Sequence, residues 1–541
     1  MSIETAVASR RRVRVHRMKT IEIPTPVSLS RIVLPWLIVM GALAIPLIGG
    51  GNEEAGSTEA RIGLAAGGPI GPLGEVYGSW DVSLLPGKVL PAQIWCWGEG
   101  GIPTTASIRW PSAIAALIAG SLLVYGSWRK LGATAAAWTA VCWGTSIAII
   151  DRSESLNVDF LTGLWTIAAL ERSLSRGCGL LAGIFAGLAF LAGGWTPVAI
   201  IMLVNVIAGR PAGAFSWRFL LPLAAIFGGW SYWTLSVVPT AAWAAVLTLP
   251  FLQKSAWFLI LDVLAGSLPW TAFALLAFAA SVRSAWGDQG RSRVSGWLRV
   301  SGVSIIAGTI VPGLAAAARA PAIAGLIVAA AASLDRVWST PFAFPRVTRR
   351  ITLTIAAATM VLGVFCIAPL SIYLALTVGY YRQISIFLAF ASIVTALVLA
   401  DAAWLGKTRR ALGCVVALAL LIKIAHFGVY VPEINYRTGE GPRGRAIGQW
   451  APPHRTIFTV HPFPADLMLA TRRPVRDLPD PRLLKYQAGP QGQSKFVLLH
   501  PEEFKHWPED APPLEKVFEY RVEFGHEISH VLARTKEPMF K

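Results

Sequence analysis

The sequence predicts a polytopic α-helical membrane protein with about 13 spans and a small C-terminal α/β domain. Three observations carry this prediction. Of the 541 residues, 54% are hydrophobic and only 14% are charged, against roughly 45–50% and 25% in soluble proteins. The apolar residues are gathered into runs long enough to cross a bilayer. Residues 429–541 then return to a soluble composition.

The basic charge of the chain does not indicate nucleic-acid binding. The net charge of +18 comes from 48 Lys and Arg against 30 Asp and Glu. Nucleic-acid binding requires basic residues gathered on one solvated face, whereas here they stand between apolar runs. The five cysteines are far apart and form no CxxC pair, which is not the pattern of a disulfide framework or a zinc site.

The number of spans follows from the length of the apolar runs. A bilayer core of ~30 Å needs about 20 apolar residues in a helix. Thirteen runs come near this length, and the charge pattern described next supports their number. They lie near residues 32–50, 111–128, 133–150, 157–172, 178–194, 195–208, 217–236, 256–281, 301–317, 319–335, 351–377, 383–404 and 410–428.

The distribution of Lys and Arg predicts the orientation, because cytoplasmic loops carry an excess of these residues. With a cytoplasmic N-terminus, the inside arm and loops hold 24 of them, and the outside connections before residue 429 hold seven. This asymmetry predicts a multi-pass protein of the cytoplasmic (inner) membrane. Its N-terminus lies inside and its C-terminal domain lies outside.

The predicted organisation has three parts. Residues 1–31 form a basic cytoplasmic arm that contacts anionic membrane lipids. Residues 32–428 form the transmembrane domain, which includes a long first outside loop at 51–110. Residues 429–541 form an extracytoplasmic α/β domain, because short strand-like runs such as 496–499 alternate there with polar helical stretches.

Acidic residues in the first outside loop are the first candidates for chemistry. Ionisable groups held between helices cost free energy, so those facing a vestibule are functional candidates. Glu54 and Glu59 follow the first span. A carboxylate at this place could act as a general base on an acceptor hydroxyl or bind a divalent cation. The alternative is a solvated acidic loop.

A second group lies at the outside junction before the fourth span. Arg152 carries a planar guanidinium that matches phosphate geometry, and Asn157 and Asp159 offer polar oxygens. An interfacial turn with an internal ion pair is the alternative. Lys88 and Arg319 are cations at other outside positions, which suit an anionic lipid headgroup if they converge. Trp80 lies at interface depth, where it anchors the chain or stacks on a sugar.

The order of these features resembles the GT-C membrane glycosyltransferases, in the branch of the protein O-mannosyltransferases and the bacterial aminoarabinose lipid A transferase. The resemblance covers essentially the whole chain. It rests on Thr58-Glu59-Ala60-Arg61, Gly78-Ser79-Trp80, Pro86-Gly87-Lys88, Arg109-Trp110-Pro111-Ser112-Ala113, Arg152 with Asn157, the stretch from Gly187 to Gly194, Pro269-Trp270 and Arg319-Ala320-Pro321-Ala322.

The resemblance implies a GT-C-like fold and a glycosyltransferase that moves a hexosyl or pentosyl group. A polyprenyl-phosphate sugar would be the donor, and the acceptor would be a hydroxyl of a lipid, glycan or protein at the outer face of the membrane, with inversion. Glu59, or else Glu54 or Asp159, would be the catalytic base. The substrate-binding residues would be Lys88, Arg152, Asn157, Arg319, Trp80 and Arg61. The resemblance leaves open whether a divalent cation takes part, and it implies no other cofactor.

Two positions depart from the family pattern and keep alternatives open. Thr58 and Asn157 stand where the family has acids. A catalytically degenerate relative that acts as a scaffold or partner subunit would explain both. A lipid or sugar transporter would instead need ionisable residues within the membrane and often repeated halves. Asp262 and Asp401 are the main acids within predicted spans, and no repeat is evident.

Overall fold

The structure is a computed structural model, and its helical part is described first. It describes residues 62–64, 86–98, 105–147, 160–177, 179–207, 215–237, 258–339, 346–430, 432–433, 440–452, 455–461, 463–486, 494–521 and 528–536. The predicted arm at 1–31 and the first predicted span at 32–50 lie outside these residues.

Helices make up most of the described residues up to residue 430. They are α1 (Pro86–Gly98), α2 (Thr105–Leu131), α3 (Ala133–Gly144), α4 (Phe160–Arg176), α5 (Leu180–Gly193), α6 (Trp195–Ile207), α7 (Trp217–Val237), α8 (Phe258–Gly266), α9 (Thr271–Ala274), α10 (Ala280–Ser284), α11 (Asp288–Ile310), α12 (Ala315–Ser339), α13 (Arg346–Thr377), α14 (Arg382–Trp404) and α15 (Thr408–Ala425).

Helix α12 forms the centre of the bundle. Its middle is a run of alanines at 329–332 that is fully buried. Gly325 faces the backbone carbonyl of Trp297 on α11 so closely that a Cβ there would overlap it. Small residues at helix contacts let two backbones approach, which is how helices associate in a membrane. The alanine-rich sequence of α12 therefore explains its central position.

Helices α13 and α14 present large apolar side chains outward. Phe365 is 73% exposed, Leu376 82% and Leu397 66%. Four helical stretches of the described residues are long and apolar enough to cross a membrane. These stretches are Arg109–Leu131, Pro312–Ser339, Arg350–Thr377 and Gly379–Trp404, and α8 together with residues 271–278 forms a bent pair that also passes the test. The prediction of a polytopic helical protein is supported, whereas the count of 13 spans stays a prediction.

Two predicted spans differ from the structure. The run at 256–281 is not one straight helix, because α8 ends at Gly266 and the next helical segment turns by 95°, around a cis Leu268–Pro269 peptide. The run at 301–317 is displaced, because α11 begins at Asp288. Arg293 and Arg299, which the charge count assigned to a loop, are therefore helical. A search for apolar runs places the start of such a helix too late. The charged residues of its first turns are solvated at the helix end and therefore do not belong to the apolar run.

The contacts of α12 define two ends of the bundle. At one end, α15 continues into the C-terminal domain, and we call this the tail end. The guanidinium of Arg409, at the start of α15, donates to the carbonyl of Trp338 in the last turn of α12 (3.2 Å). The last turn of α12 therefore lies at the opposite end, and Arg319, near the start of α12, lies at the tail end.

The C-terminal domain contains a five-stranded mixed sheet. Its helices are α16 (Gly441–Trp450), α17 (Ala465–Ala470) and α18 (Pro501–Lys505), and its strands are β1 (Ile457–Thr459), β2 (Val475–Asp477), β3 (Phe496–Leu499), β4 (Leu514–Arg521) and β5 (Ile528–Thr535). The strand order is β2-β1-β3-β5-β4, with β2, β1 and β3 parallel and β5 antiparallel to both of its neighbours. The strand-like sequence runs at 456–460, 496–499 and 531–533 are confirmed as β1, β3 and β5, whereas β2 and β4 were not predicted because both are half polar.

One face of this sheet also packs against a distant part of the chain. Leu64, which is 9% exposed, joins the apolar cluster that contains Ile447, Leu467 and Leu532, and Ile62 packs against the same cluster. These residues form a short helical fragment at 62–64. Residues 62–64 are therefore attached to the core of the C-terminal domain.

A histidine in this domain makes its stability depend on pH. His530 lies among Phe463, His500 and Arg443. Burial of its ring, together with the positive charges of His500 and Arg443, lowers the pKa of His530 to about 4. The unfolded chain binds the proton near pH 6.5. Stability contributed by neutral His530 is therefore complete above pH 6.5 and is lost as the pH falls toward 4, by up to about 2 kcal/mol at pH 5.

We expect hydrogen exchange of β5 to show this loss. After correction for intrinsic rates, the opening free energy of residues 528–535 in the full-length protein should fall between pH 7.5 and pH 5. His530→Phe keeps the aromatic contacts and should remove this part of the fall, whereas His506→Gln, at an exposed position, should not. An unchanged fall in His530→Phe would contradict the assignment.

Candidate functional site at the tail end of the bundle

The predicted site residues divide into two groups. Arg319 is described in full, and the backbone of Lys88 is described within α1. The remaining predicted residues lie outside the described residues, and their roles stay predictions. They are Glu54, Glu59, Arg61, Trp80, Arg152, Asn157 and Asp159.

Arg319 has a carboxylate partner that the sequence did not assign to it. Its Nη2 lies 2.8 Å from Oδ2 of Asp262 on α8, and the two side chains are 22% and 17% exposed. From the sequence, Arg319 was predicted to be an isolated cation at an outside position, and Asp262 was predicted to be an acid within a span. The contact with Arg319 places Asp262 near the tail end, where both side chains remain partly exposed. A guanidinium carries five N–H donors, so this ion pair is compatible with a further phosphate contact.

The segment that carries Lys88 packs closely on the end of α5. A Cβ at Gly87 would lie 2.7 Å from the backbone nitrogen of Ala192 and 2.8 Å from the carbonyl carbon of Leu191. Only glycine allows this approach. The Pro86-Gly87-Lys88 motif therefore meets the Gly187 to Gly194 motif, although about a hundred residues separate them in sequence.

The same contacts continue to α4 and α12. A Cβ at Gly193 would lie 2.9 Å from the hydroxyl of Thr162 on α4, and one at Gly163 would lie 2.7 Å from the Cβ of Ala320. Ala320 directly follows Arg319. Phe160 is the first residue of α4, so Asp159 and Asn157 immediately precede this cluster. We call the contacts of Gly87, Gly163, Gly193 and Arg319 the motif junction.

Two more motifs are ordered within the bundle. Trp270, from the Pro269-Trp270 motif, is fully buried and donates through Nε1 to the hydroxyl of Thr145 (2.9 Å). Arg109, at the start of the Arg109-Trp110-Pro111 motif, is only 4% exposed. The ring of Trp110 stacks on Trp95 of α1, with centroids 5.0 Å apart. This ring contact joins α1 to α2.

Residues 62–64 pack against the C-terminal domain. Ile62 and Leu64 contact the apolar face of its sheet. In the sequence, these residues directly follow the Thr58-Glu59-Ala60-Arg61 motif. No sequence pattern indicates this contact, because two apolar residues within a 60-residue loop point to no particular partner.

The described residues contain no group of three or more His, Cys, Asp or Glu side chains arranged to hold a metal ion. Asp262 is the carboxylate that the structure describes at the motif junction, and it is engaged by Arg319. The divalent cation named among the sequence expectations accordingly stays a prediction about residues such as Glu54 and Asp159.

Comparisons with known proteins identify a shared fold. No protein-family model matches the chain, and no curated protein matches its sequence. Crystal structures of ArnT from Cupriavidus metallidurans do match. The apo structure gives a TM-score of 0.63 and the structure bound to undecaprenyl phosphate gives 0.66, each at 16% identity. The matches cover 93% and 94% of this chain and 98% of the ArnT chain. The chain therefore has the fold of ArnT over nearly its whole length, from the helical bundle to the C-terminal sheet domain.

Proposed function

We propose that this protein is a membrane glycosyltransferase of the GT-C type. It transfers a sugar from a polyprenyl-phosphate donor to a hydroxyl of a lipid, glycan or protein acceptor at the outer face of the cytoplasmic membrane. The observation that carries the proposal is the fold match with ArnT, which has been crystallised with undecaprenyl phosphate. The meeting of the resembled motifs at the motif junction supports it, because motifs with a shared role are expected at one site.

The donor phosphate is recognised at interface depth in this proposal. Arg319 lies at the tail end and is paired with Asp262, and the backbone of Lys88 directly follows Gly87, which packs on the end of α5. Arg152 belongs to the connection that leads into α4. Cations at these positions would neutralise the phosphate that leaves when the bond to the sugar breaks.

The acceptor hydroxyl is activated by a carboxylate. Glu59, or else Glu54 or Asp159, removes its proton as the oxygen attacks the anomeric carbon from the face opposite the phosphate. The new glycosidic bond forms as the bond to the phosphate oxygen breaks, so the configuration inverts. Trp80, Asn157 and Arg61 hold the sugar and phosphate in this scheme, and polyprenyl phosphate is the leaving group.

The C-terminal domain contributes by holding the first outside loop. The packing of Ile62 and Leu64 on its sheet supports a role in placing the Glu59 motif, and the same surface is suited to cover the site or contact the acceptor. An extracytoplasmic location of this domain agrees with the charge asymmetry of the loops.

Transfer of radiolabelled sugar in membranes tests the proposal. Membranes that contain the wild type should label an acceptor in a lipid and envelope extract from at least one of a panel of polyprenyl-phosphate sugars. Glu59→Gln should lower the rate by about 10²–10⁴-fold, the usual contribution of a general base. Glu99→Gln, a matched change in the same loop, should keep the wild-type rate. Addition of EDTA tests the divalent cation in the same assay.

Two outcomes would contradict the proposal in different ways. Full activity in Glu59→Gln would show that Glu59 is not the general base. The role would then be assigned to Glu54 or Asp159, and the corresponding variants would test it. No transfer from any donor by folded wild-type protein would favour a degenerate scaffold, as Thr58 and Asn157 would lead one to expect.

A further inference from the structure

A second polar region lies at the opposite end of the bundle, far from the motif junction. Two cavities of about 250 and 270 Å³ meet there, and both are lined by Lys130 and Ser175. The first lies between the ends of α2 and α4 and the start of α5, and the second lies between these ends and the start of α11. The charge asymmetry of the loops assigns this end to the cytoplasmic leaflet.

The cavities carry an excess of positive charge. Arg129 and Arg172 line the first cavity, Arg293 lines the second, and Lys130 lines both. Glu171 and Asp288 are the two acids among the lining residues. Within the described part of the chain, Arg129, Lys130 and Arg172 have no carboxylate within ion-pair distance.

The acid at the centre of the site is already engaged. Oε1 of Glu171 accepts from Nη1 of Arg293 (2.7 Å), and Oε2 accepts from the indole N–H of Trp297 (3.2 Å). Nη2 of Arg293 donates to the carbonyl of Leu123 (3.1 Å). Gly126 leaves room for this pair, because a Cβ there would overlap both groups. Since Glu171 is held by Arg293, the charges of Arg129 and Arg172 are not cancelled by it.

The wall of the first cavity is apolar and open to the membrane. Leu122, Leu181 and Phe185 line it beside the cations. Leu181 is 44% exposed and Tyr125 is 53% exposed, with the guanidinium of Arg129 5.8 Å from the Tyr125 ring centroid. Tyr and Trp mark the interface depth of a membrane, so these cations lie at the level of lipid headgroups.

We propose that these two cavities form a binding site for a phosphate-bearing anion, with the chemistry of an anionic phospholipid headgroup. The phosphate lies between Arg129, Lys130 and Arg172, and an acyl chain follows Leu181 and Tyr125 along the outside of the bundle. Basic pockets between helices at the cytoplasmic side are a recurrent setting for such headgroups. The site is separate from the donor site at the tail end and does not depend on the proposed transferase activity.

Native mass spectrometry of the full-length protein in detergent tests this site. Phosphatidylglycerol and phosphatidylcholine are the two lipid probes, and inorganic phosphate is the soluble one. We expect phosphatidylglycerol to be retained and phosphatidylcholine not. Arg129→Gln with Arg172→Gln should weaken retention about 30-fold, the combined effect of two cations near the membrane surface. Arg283→Gln with Arg291→Gln removes the same charge at the same end, outside both cavity linings, and should retain the lipid.

A second variant keeps the test independent of folding. Ser175→Asp adds a carboxylate at an exposed position shared by both cavities and should also weaken retention of phosphatidylglycerol. If inorganic phosphate displaces the lipid from the wild type but binds the arginine variant poorly, a soluble phosphate compound uses the same site. Equal retention of phosphatidylglycerol by the wild type and both site variants would overturn the proposal, as would equal retention of phosphatidylcholine.

Discussion

Arg293→Leu is expected to lower the free energy of unfolding by about 3–5 kcal/mol, since it leaves a buried charge without its partner. The side chains of Arg293 and Glu171 are only 6% and 15% exposed, and Glu171 has no other cation within ion-pair distance in the described part of the chain. The loss can be measured by equilibrium unfolding in mixed detergent micelles.

Two further variants separate charge burial from packing. Arg291→Leu removes an exposed cation from the same helix and should cost less than about 1 kcal/mol. Glu171→Leu combined with Arg293→Leu should recover much of the loss, because an apolar pair carries no desolvation cost. A single variant as stable as Arg291→Leu would show that the pair contributes little.

Leu64→Asp is expected to lower sugar transfer by about 10²-fold while the C-terminal domain stays folded. The change places a charge in the apolar cluster that holds the first outside loop. The loop then leaves the sheet, and the Glu59 motif loses its position. A displacement of about 1 Å at a reacting group can cost this factor in rate. The effect should appear in both kcat and KM, because the released segment directly follows Arg61, one of the proposed substrate-binding residues.

The matched control for this change lies on the same domain. Leu483→Asp alters a leucine that is 38% exposed and should leave transfer unchanged. Hydrogen exchange of β3 and β5 in Leu64→Asp checks that the sheet persists. Normal transfer in Leu64→Asp with a released loop would show that the loop needs no support from the C-terminal domain.

The helical bundle could be predicted from the sequence because a bilayer requires long apolar runs. Ten of the thirteen runs each overlap one described helix, and runs such as 383–404 match α14 to within a residue. The bend between α8 and α9 could not be predicted, since both halves are equally apolar and the turn depends on packing. The start of α11 at Asp288 was missed because its first turns are polar.

The candidate site was only partly predictable, because its arrangement also depends on packing between distant segments. The family-like motifs indicated which segments belong together, and the glycine contacts of Gly87, Gly163 and Gly193 bring those segments to one place. Pairings such as Arg319 with Asp262, or Glu171 with Arg293, join residues that are distant in sequence. Neither pairing leaves a local pattern, because the partners belong to different helices and are more than 50 residues apart in sequence.

The position of β5 within the sheet has a consequence for biosynthesis. This strand ends at Thr535, yet it lies between β3 and β4 rather than at an edge. The sheet, and with it the surface that receives Leu64, is therefore complete only after residue 535 has been made. At 5–20 residues per second, residues 62–64 are made roughly half a minute or longer before that surface is complete. A nascent chain that ends before β5 thus contains the helices of the bundle but not the assembled sheet on which Ile62 and Leu64 pack.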